Sequence, residues 1–237
     1  MVGLGDVLSI WAHPDDETYL ASGLMAQAVR DGGRVVCVTA TRGEGGSLDE
    51  ERWPSQTLGA VRERELMTGL ARLGVTEHEF LGLPDIDMAT PLPETHGPER
   101  IQQLVADLRP DTVLTFGPEG MTGHEAHKSV SRWTTDAFLR AAKPGARLCH
   151  AAYTSEWADR FVPQMRDLGI FLPGTPVVRD RSELGLVFDL PDDILELKMA
   201  ALQDHASQVE GLFAVFGHDE LRAGMAQESF VVAAAGE

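Results

Sequence analysis

The sequence predicts an α/β fold: a Rossmann-like, mostly parallel sheet flanked by helices, in a single domain with a C-terminal extension. Three observations carry this expectation. Apolar runs of strand length, such as Val35-Val36-Cys37-Val38, have no polar alternation, as in strands covered on both faces. They alternate with segments of helical period, beginning with a strand, helix, strand unit. No internal repeat, low-complexity segment or clear linker divides the 237 residues, so one domain over 1–237 is expected, with a core of about 5–142 and a substrate-facing part of about 143–237.

Asp6 to Ala12 reads as the first strand, and from Asp16 the residues Leu20, Ala21, Leu24, Met25, Ala28 and Val29 share one helical face. Asp31-Gly32-Gly33 stops that helix, and Arg34 to Ala40 forms a second buried strand. A glycine-rich loop, Thr41 to Ser47, follows. It has neither GxGxxG spacing nor the lysine of a P-loop, which disfavours nucleotide binding. A helix is expected over Leu58 to Gly74, a short strand over Glu79 to Leu83, and a proline-rich loop from Pro84 to Pro98. Ile101, Leu104, Val105 and Leu108 define a helix closed by Pro110, and Asp111 to Phe116 a fourth strand. The turn Gly117 to Gly123 leads into a helix from about His124 to Ala142. Beyond it, strands near Leu148 to Thr154 and Leu184 to Leu190 bracket a short helix around Trp157 to Leu168. Pro191 with Asp192 and Asp193 starts a helix through Leu202, and the pattern weakens from Gly211 onward.

Composition narrows the function. With 20 Lys and Arg against 37 Asp and Glu, the net charge of −17 argues against nucleic acid and anionic membranes as partners. Cys37 and Cys149 both lie in apolar runs and read as buried core thiols. The first residues lack the charged start and long apolar core of a signal peptide, and no apolar stretch approaches the ~18 residues of a membrane span. A cytoplasmic protein acting on a small molecule is the expectation; a homo-oligomer is compatible with it.

Two strand-to-helix junctions carry the chemistry. His13 and Asp16 follow the first strand and His124 and His127 follow the fourth, each pair at i and i+3, which places both members on one face of a helix start. Strand ends on one edge of an open α/β sheet can join into one site. Two or three imidazoles with a carboxylate form the donor set of a catalytic zinc site, and Fe(II) or another divalent metal also suits it. HxxH and HxxD triplets also arise by chance, and Asp at a helix start can be a simple cap. The isolated histidines, His78, His96, His150, His205 and His218, read as structural or exposed.

Ala12-His13-Pro14-Asp15-Asp16-Glu17 resembles the signature of the LmbE-like, or PIG-L, family of zinc-dependent de-N-acetylases. The likeness continues in family order through Thr41 to Gly46, Arg62 to Leu66, Leu83-Pro84-Asp85, Gly123 to His127 and Lys198 to Gln208. It implies that His13, Asp16 and His127 hold the metal, Asp15 is the general base, and His124 stabilises the oxyanion. It further implies substrate contacts by Arg62 and Asp85, with Arg42 and Glu44 lining the same cleft and Glu17 supporting the loop. The implied reaction removes an acetyl group from an N-acetylglucosamine-like sugar or a glycosylated metabolite.

The chain departs from the pattern at Ala126, where the family carries an aspartate that steadies the non-ligand histidine. A metal-containing carbohydrate-binding module with weak or no activity is therefore the alternative. A nucleotide-binding enzyme, suggested by the parallel sheet alone, lacks the glycine fingerprint.

Overall fold

The first two apolar runs fold as β1 (Val7–Trp11) and β2 (Val35–Thr39), with every residue buried. They belong to a computed structural model that describes residues 3–236; Met1, Val2 and Glu237, which close the 1–237 span, lie outside the described residues. Three more strands, β3 (Glu77–Phe80), β4 (Thr112–Thr115) and β5 (Arg147–Ala151), extend the parallel set. A separate two-stranded piece joins β6 (Tyr153–Thr154) to β7 (Val178–Arg179). Finally, β8 (Leu186–Asp189) and β9 (Gln227–Ala235) complete a seven-stranded sheet in the order β3-β2-β1-β4-β5-β9-β8.

β1 pairs in parallel with β2 on one side and β4 on the other, so the strand order reverses there. A crevice opens outside the carboxyl ends of strands at such a reversal. Both junctions singled out in the sequence lie at that edge. Threonine side chains reinforce the pairing at that edge: Thr115 Oγ1 donates to Ile10 O at 2.9 Å and Thr41 Oγ1 to Ala12 O at 3.1 Å.

The helix expected from Asp16 is two helices, α1 (Asp16–Leu20) and α2 (Ser22–Arg30), broken at Ala21 with φ −143°. The break has a tertiary cause. Glu228 of β9 accepts hydrogen bonds from Gly23 N and Leu24 N, both at 2.8 Å, and so caps α2 from a distant strand. A Cβ on Gly23 would come within 2.7 Å of the Leu190 side chain, so a larger residue there would force Leu190 to shift. Periodicity in the sequence could not reveal a cap donated from so far away.

The remaining helices are α3 (Ser55–Arg72), α4 (Gly97–Leu108), α5 (Glu125–Ala141), α6 (Ser155–Asp167), α7 (Asp192–Asp204) and α8 (Ala206–Met225). α3 starts before the expected Leu58, since its polar first turn carries no apolar period that would mark it in the sequence. β3 lies earlier than the expected Glu79 to Leu83, its register set by pairing Val36 with Glu77. The weakly patterned tail supplies most of α8 and all of β9, which runs antiparallel to both β5 and β8. Among the described residues no helix is long and apolar enough to cross a membrane.

Glu228 is also half of a buried ion pair, 2.7 Å from Lys198 Nζ, and Lys198 donates in addition to Tyr19 O at 2.8 Å. One lysine thus ties the end of α1, the start of α2 and β9 together. Removing one partner of a buried pair strands the other charge, whereas an apolar pair leaves none. Lys198→Met should therefore lower stability by about 3–5 kcal/mol in urea unfolding, with the double variant Lys198→Met/Glu228→Leu recovering a large part of the loss. A loss below about 1 kcal/mol for the single variant would contradict this account of the pair.

Candidate active site

His13 leaves β1, and its own backbone N–H donates to Asp16 Oδ2 at 2.7 Å, closing the turn. That turn aims both side chains at His127 in the first turn of α5. His13 Nδ1 lies 3.0 Å from His127 Nε2 and 3.5 Å from Asp16 Oδ2, and His127 Nε2 lies 3.4 Å from Asp16 Oδ1. Donors on a tetrahedral zinc with bonds of about 2.0–2.1 Å sit roughly 3.3 Å apart. The three separations are close to that spacing, with Asp16 presenting one oxygen to each imidazole.

The other ring nitrogens explain the orientation. His127 Nδ1 is 2.9 Å from Gly120 O, which can only accept, so its proton sits on Nδ1 and its Nε2 lone pair faces His13. The ring is stacked on Phe116 at 4.2 Å. His13 Nε2 lies 3.3 Å from Asp85 Oδ1, a carboxylate that favours a proton there and a lone pair at Nδ1. Two lone pairs meeting at 3.0 Å beside a carboxylate call for a cation, so the donor set fits a divalent metal.

Without that ion a proton takes its place. Burial alone would lower the His13 pKa, but hydrogen bonds to Asp16 and Asp85 raise it to about 9. Burial pushes His127 down to about 3. Burial would raise Asp16, but His127 and His13 together hold it far below the carboxylate range.

Asp15 adopts φ 109°, a region that side chains other than glycine's rarely enter. Its neighbours over-determine that conformation. Asp15 N donates to Glu17 Oε2 at 3.0 Å, and Asp15 O accepts from Thr18 N and Tyr19 N, both at 2.9 Å. Arg62, 4% exposed, donates to Pro14 O at 2.6 Å and Gly43 O at 3.0 Å, and its Nη2 is 3.3 Å from Asp15 Oδ2. Burial raises the Asp15 carboxyl to about 7, against the lowering by Arg62 and reinforced by Asp16 and Glu17.

Behind Glu17 stands His205, fully buried, with Nε2 at 3.3 Å from Glu17 Oε1 and 3.2 Å from Thr18 Oγ1. Sequence reading left His205 among the structural or exposed histidines, although it lies in the similar stretch Lys198 to Gln208. Its place emerges only when the α7–α8 junction packs behind α1.

His124 caps α5, and its Nε2 is buried without a hydrogen-bond partner. Ala126, buried at 2%, provides no acid to orient it. Burial first, then the neighbouring His13, lowers its pKa, which favours the neutral ring. Ligand nitrogens of His13, His124 and His127 fall within 4.8 Å of one another, so His124 borders the same point. It is farther off than His127: the rings of His13 and His124 are 6.2 Å apart, those of His13 and His127 5.0 Å.

The expected substrate contacts divide. Arg62 is interior rather than a surface residue, and it lines the cavity. Asp85 also lines it, but both its oxygens are engaged, one with His13 and the other with Gly45 N at 3.2 Å. Arg42 is not brought to the cavity. It pairs with Glu63 at 2.6 Å and lies over the Phe80 ring, because that acid faces it from the next helix. Glu44 bridges the loops instead of lining the cleft, accepting from Arg42 N and Asp85 N.

The cavity, about 650 Å3, has His13, Asp15, Asp16, Arg62, His124 and His127 at one end. α6 and α8 wall the other end.

Residues 8–138 match the sequence pattern of the PIG-L family, described as GlcNAc-PI de-N-acetylase. The chain is 32% identical over 229 residues to the 1D-myo-inositol 2-acetamido-2-deoxy-alpha-D-glucopyranoside deacetylase of Mycobacterium sp. (strain JLS), covering 86% of this chain and 74% of that protein. In fold it resembles the N,N'-diacetylchitobiose deacetylase from Pyrococcus horikoshii, with a TM-score of 0.64 at 20% identity over 96% of this chain and 83% of that one. A 4-carboxy-2-hydroxymuconate hydratase from Pseudomonas putida KT2440 has the same TM-score of 0.64 at 18% identity, covering 90% and 82%. Fold alone does not fix the reaction.

Because a metal must displace the proton that His13 holds below about 9, zinc affinity should rise about tenfold per pH unit from 6 to 8. Calorimetry in buffers of different ionisation heat should count about one proton released per zinc bound at pH 7.5. Pairing with the metal-lowered His127→Ala variant checks the site: unchanged affinity there would place the ion elsewhere.

Proposed function

This chain belongs to the PIG-L family, and from that footing we propose that it is a metal-dependent deacetylase. Its reaction removes the acetyl group from an N-acetylglucosamine-like sugar or glycosylated small metabolite. One observation carries the reading: a carboxyl poised near neutral pH, Asp15, opens into the same cavity as a three-donor cluster of His13, Asp16 and His127. Two imidazoles and a carboxylate favour zinc, with Fe(II) or another divalent metal also accommodated.

When bound, the metal ion supplies Lewis-acid polarisation of the amide carbonyl and makes a water more acidic. Asp15 accepts a proton from the attacking water as the water oxygen bonds to the amide carbon. His124, through its buried and unpartnered Nε2, faces the charge that gathers on the carbonyl oxygen. Asp15 then delivers the proton to the departing nitrogen as the carbon–nitrogen bond breaks, leaving acetate and a free amine. A base with a pKa near the working pH serves both transfers. Arg62 holds Asp15 and Gly43 in place, and Asp85 orients His13; these are positioning tasks, with any sugar contact by Arg62 made from the cavity side. Glu17 and His205 fix the backbone of Asp15 from behind.

Two unpaired buried thiols, Cys37 and Cys149, agree with a reducing cytoplasmic setting. The acidic surface favours small substrates over nucleic acid or anionic membranes.

The absence of an acid beside His124 favours a second reading, a metal-containing carbohydrate-binding module with little turnover. Mutagenesis separates the two. Asp15→Asn should retain the metal while acetate release from N-acetyl glycosides falls by roughly 10²–10⁴-fold. His124→Ala should lower it by roughly 10²–10³-fold. Ligand binding with no acetate release by the parent chain, equal to that of Asp15→Asn, would favour the binding module.

A further inference from the structure

The cavity is larger and less polar than the reaction alone requires. The ionisable groups His13, Asp15, Asp16, Arg62, His124 and His127 gather at the metal-binding end. At the far end Tyr153 and Trp157 stack at 4.1 Å with their planes 15° apart, and Met165, Phe171, Leu212 and Met225 complete the wall.

Apart from the Tyr153 hydroxyl, the polar side-chain atoms in that half are largely engaged. Trp157 Nε1 donates to Gly224 O at 2.9 Å, Ser229 Oγ to Ala152 O at 2.9 Å, and Gln227 Nε2 to Asp189 Oδ1 at 2.6 Å. Thr154 Oγ1 accepts from Trp157 N at 3.2 Å as the cap of α6. A polyol placed there would lose its hydrogen bonds to water with few replacements. An apolar group would lose nothing.

The rim repeats the pattern. Leu48, Met88, Leu168 and Val215 are 72%, 49%, 43% and 57% exposed, and they reach this one cavity from four separate segments. Single exposed apolar side chains are ordinary, but their convergence on one mouth marks a binding site.

We propose that the far half of the cavity binds a neutral apolar substituent of the substrate, so that the preferred substrate is an amphipathic amino-sugar derivative rather than a sugar–polyol conjugate. The inference rests on the deacetylase reading and specifies its substrate class. Continuity of the apolar wall with the cavity holding Asp15 and His124 makes the occupant part of the substrate. The net charge of −17 selects neutral over anionic amphiphiles. The apolar group can be attached at the anomeric carbon or be the N-acyl chain itself, and both present the same surface to the wall.

The test measures kcat/KM of the zinc-loaded chain for methyl, hexyl and octyl N-acetylglucosaminides, for N-octanoylglucosamine, and for N-acetylglucosaminyl-inositol. Each buried methylene is worth about fourfold, so the octyl glycoside should exceed the methyl glycoside by at least ~30-fold. A gain confined to the N-octanoyl sugar assigns the wall to the acyl chain and still supports the proposal. Val215→Asn and Leu168→Gln, at exposed positions that do not bear on folding, should each lower the octyl-to-methyl ratio by roughly three- to tenfold. Equal rates along the alkyl series with no gain for the N-octanoyl sugar, or preference for the inositol conjugate, would overturn the apolar site while leaving the deacetylase reading intact. If no substrate is hydrolysed, that reading fails by itself; calorimetry with methyl, hexyl and octyl glucosides then decides the inference. Affinity that rises with chain length sustains it, and affinity that does not refutes it.

Discussion

The site depends on one backbone constraint, the positive φ of Asp15. Such a conformation costs on the order of 1–3 kcal/mol and persists only where surrounding structure over-determines it. Here it is held from three sides: Glu17 takes the amide hydrogen, two α1 amides bond the carbonyl, and the Arg62 guanidinium lies against the carboxylate and the preceding carbonyl. The turn can then place Asp16 toward His13 and His127 while its neighbour Asp15 faces the cavity. Two adjacent carboxyls thereby acquire different environments, one beside imidazoles and one buried next to an arginine. Their acidities separate accordingly.

The parallel architecture was legible because its signals are local. Strands buried on both faces show as unbroken apolar runs, and the histidine pairs at helix starts are only three residues apart. Placing those junctions on one edge follows from the reversal of strand order between β1 and β4. What escaped the sequence is donated across long distances. Glu228 capping α2, Lys198 binding Tyr19 O and His205 backing Glu17 each join residues near opposite ends of the chain. No window of periodicity contains both partners.

Loop residues illustrate a second limit. Arg42, Asp85 and Glu44 all sit in polar connections, where side-chain identity does not reveal direction. Packing decided: Arg42 found Glu63, Asp85 found the far nitrogen of His13, and Glu44 joined the two loops. Ala126 works the other way, since its lack of a carboxylate was visible in the sequence and the structure supplies no substitute bonded to His124 Nε2. A neutral His124 would be a weaker electrostatic partner than a charged one, and a preorganised dipole rather than an ion.

The position of β9 also bears on how the molecule is made. This strand, late in the sequence, lies inside the sheet between β5 and β8 rather than at an edge, and it brings Glu228 to the break between α1 and α2. A nascent chain emerging from the ribosome can pair β1 with β2 early, yet β8 has no partner in the sheet until β9 arrives. Contacts of such long sequence separation form slowly. The turn that carries Asp15, made directly after β1, therefore waits during synthesis for a strand made long after it.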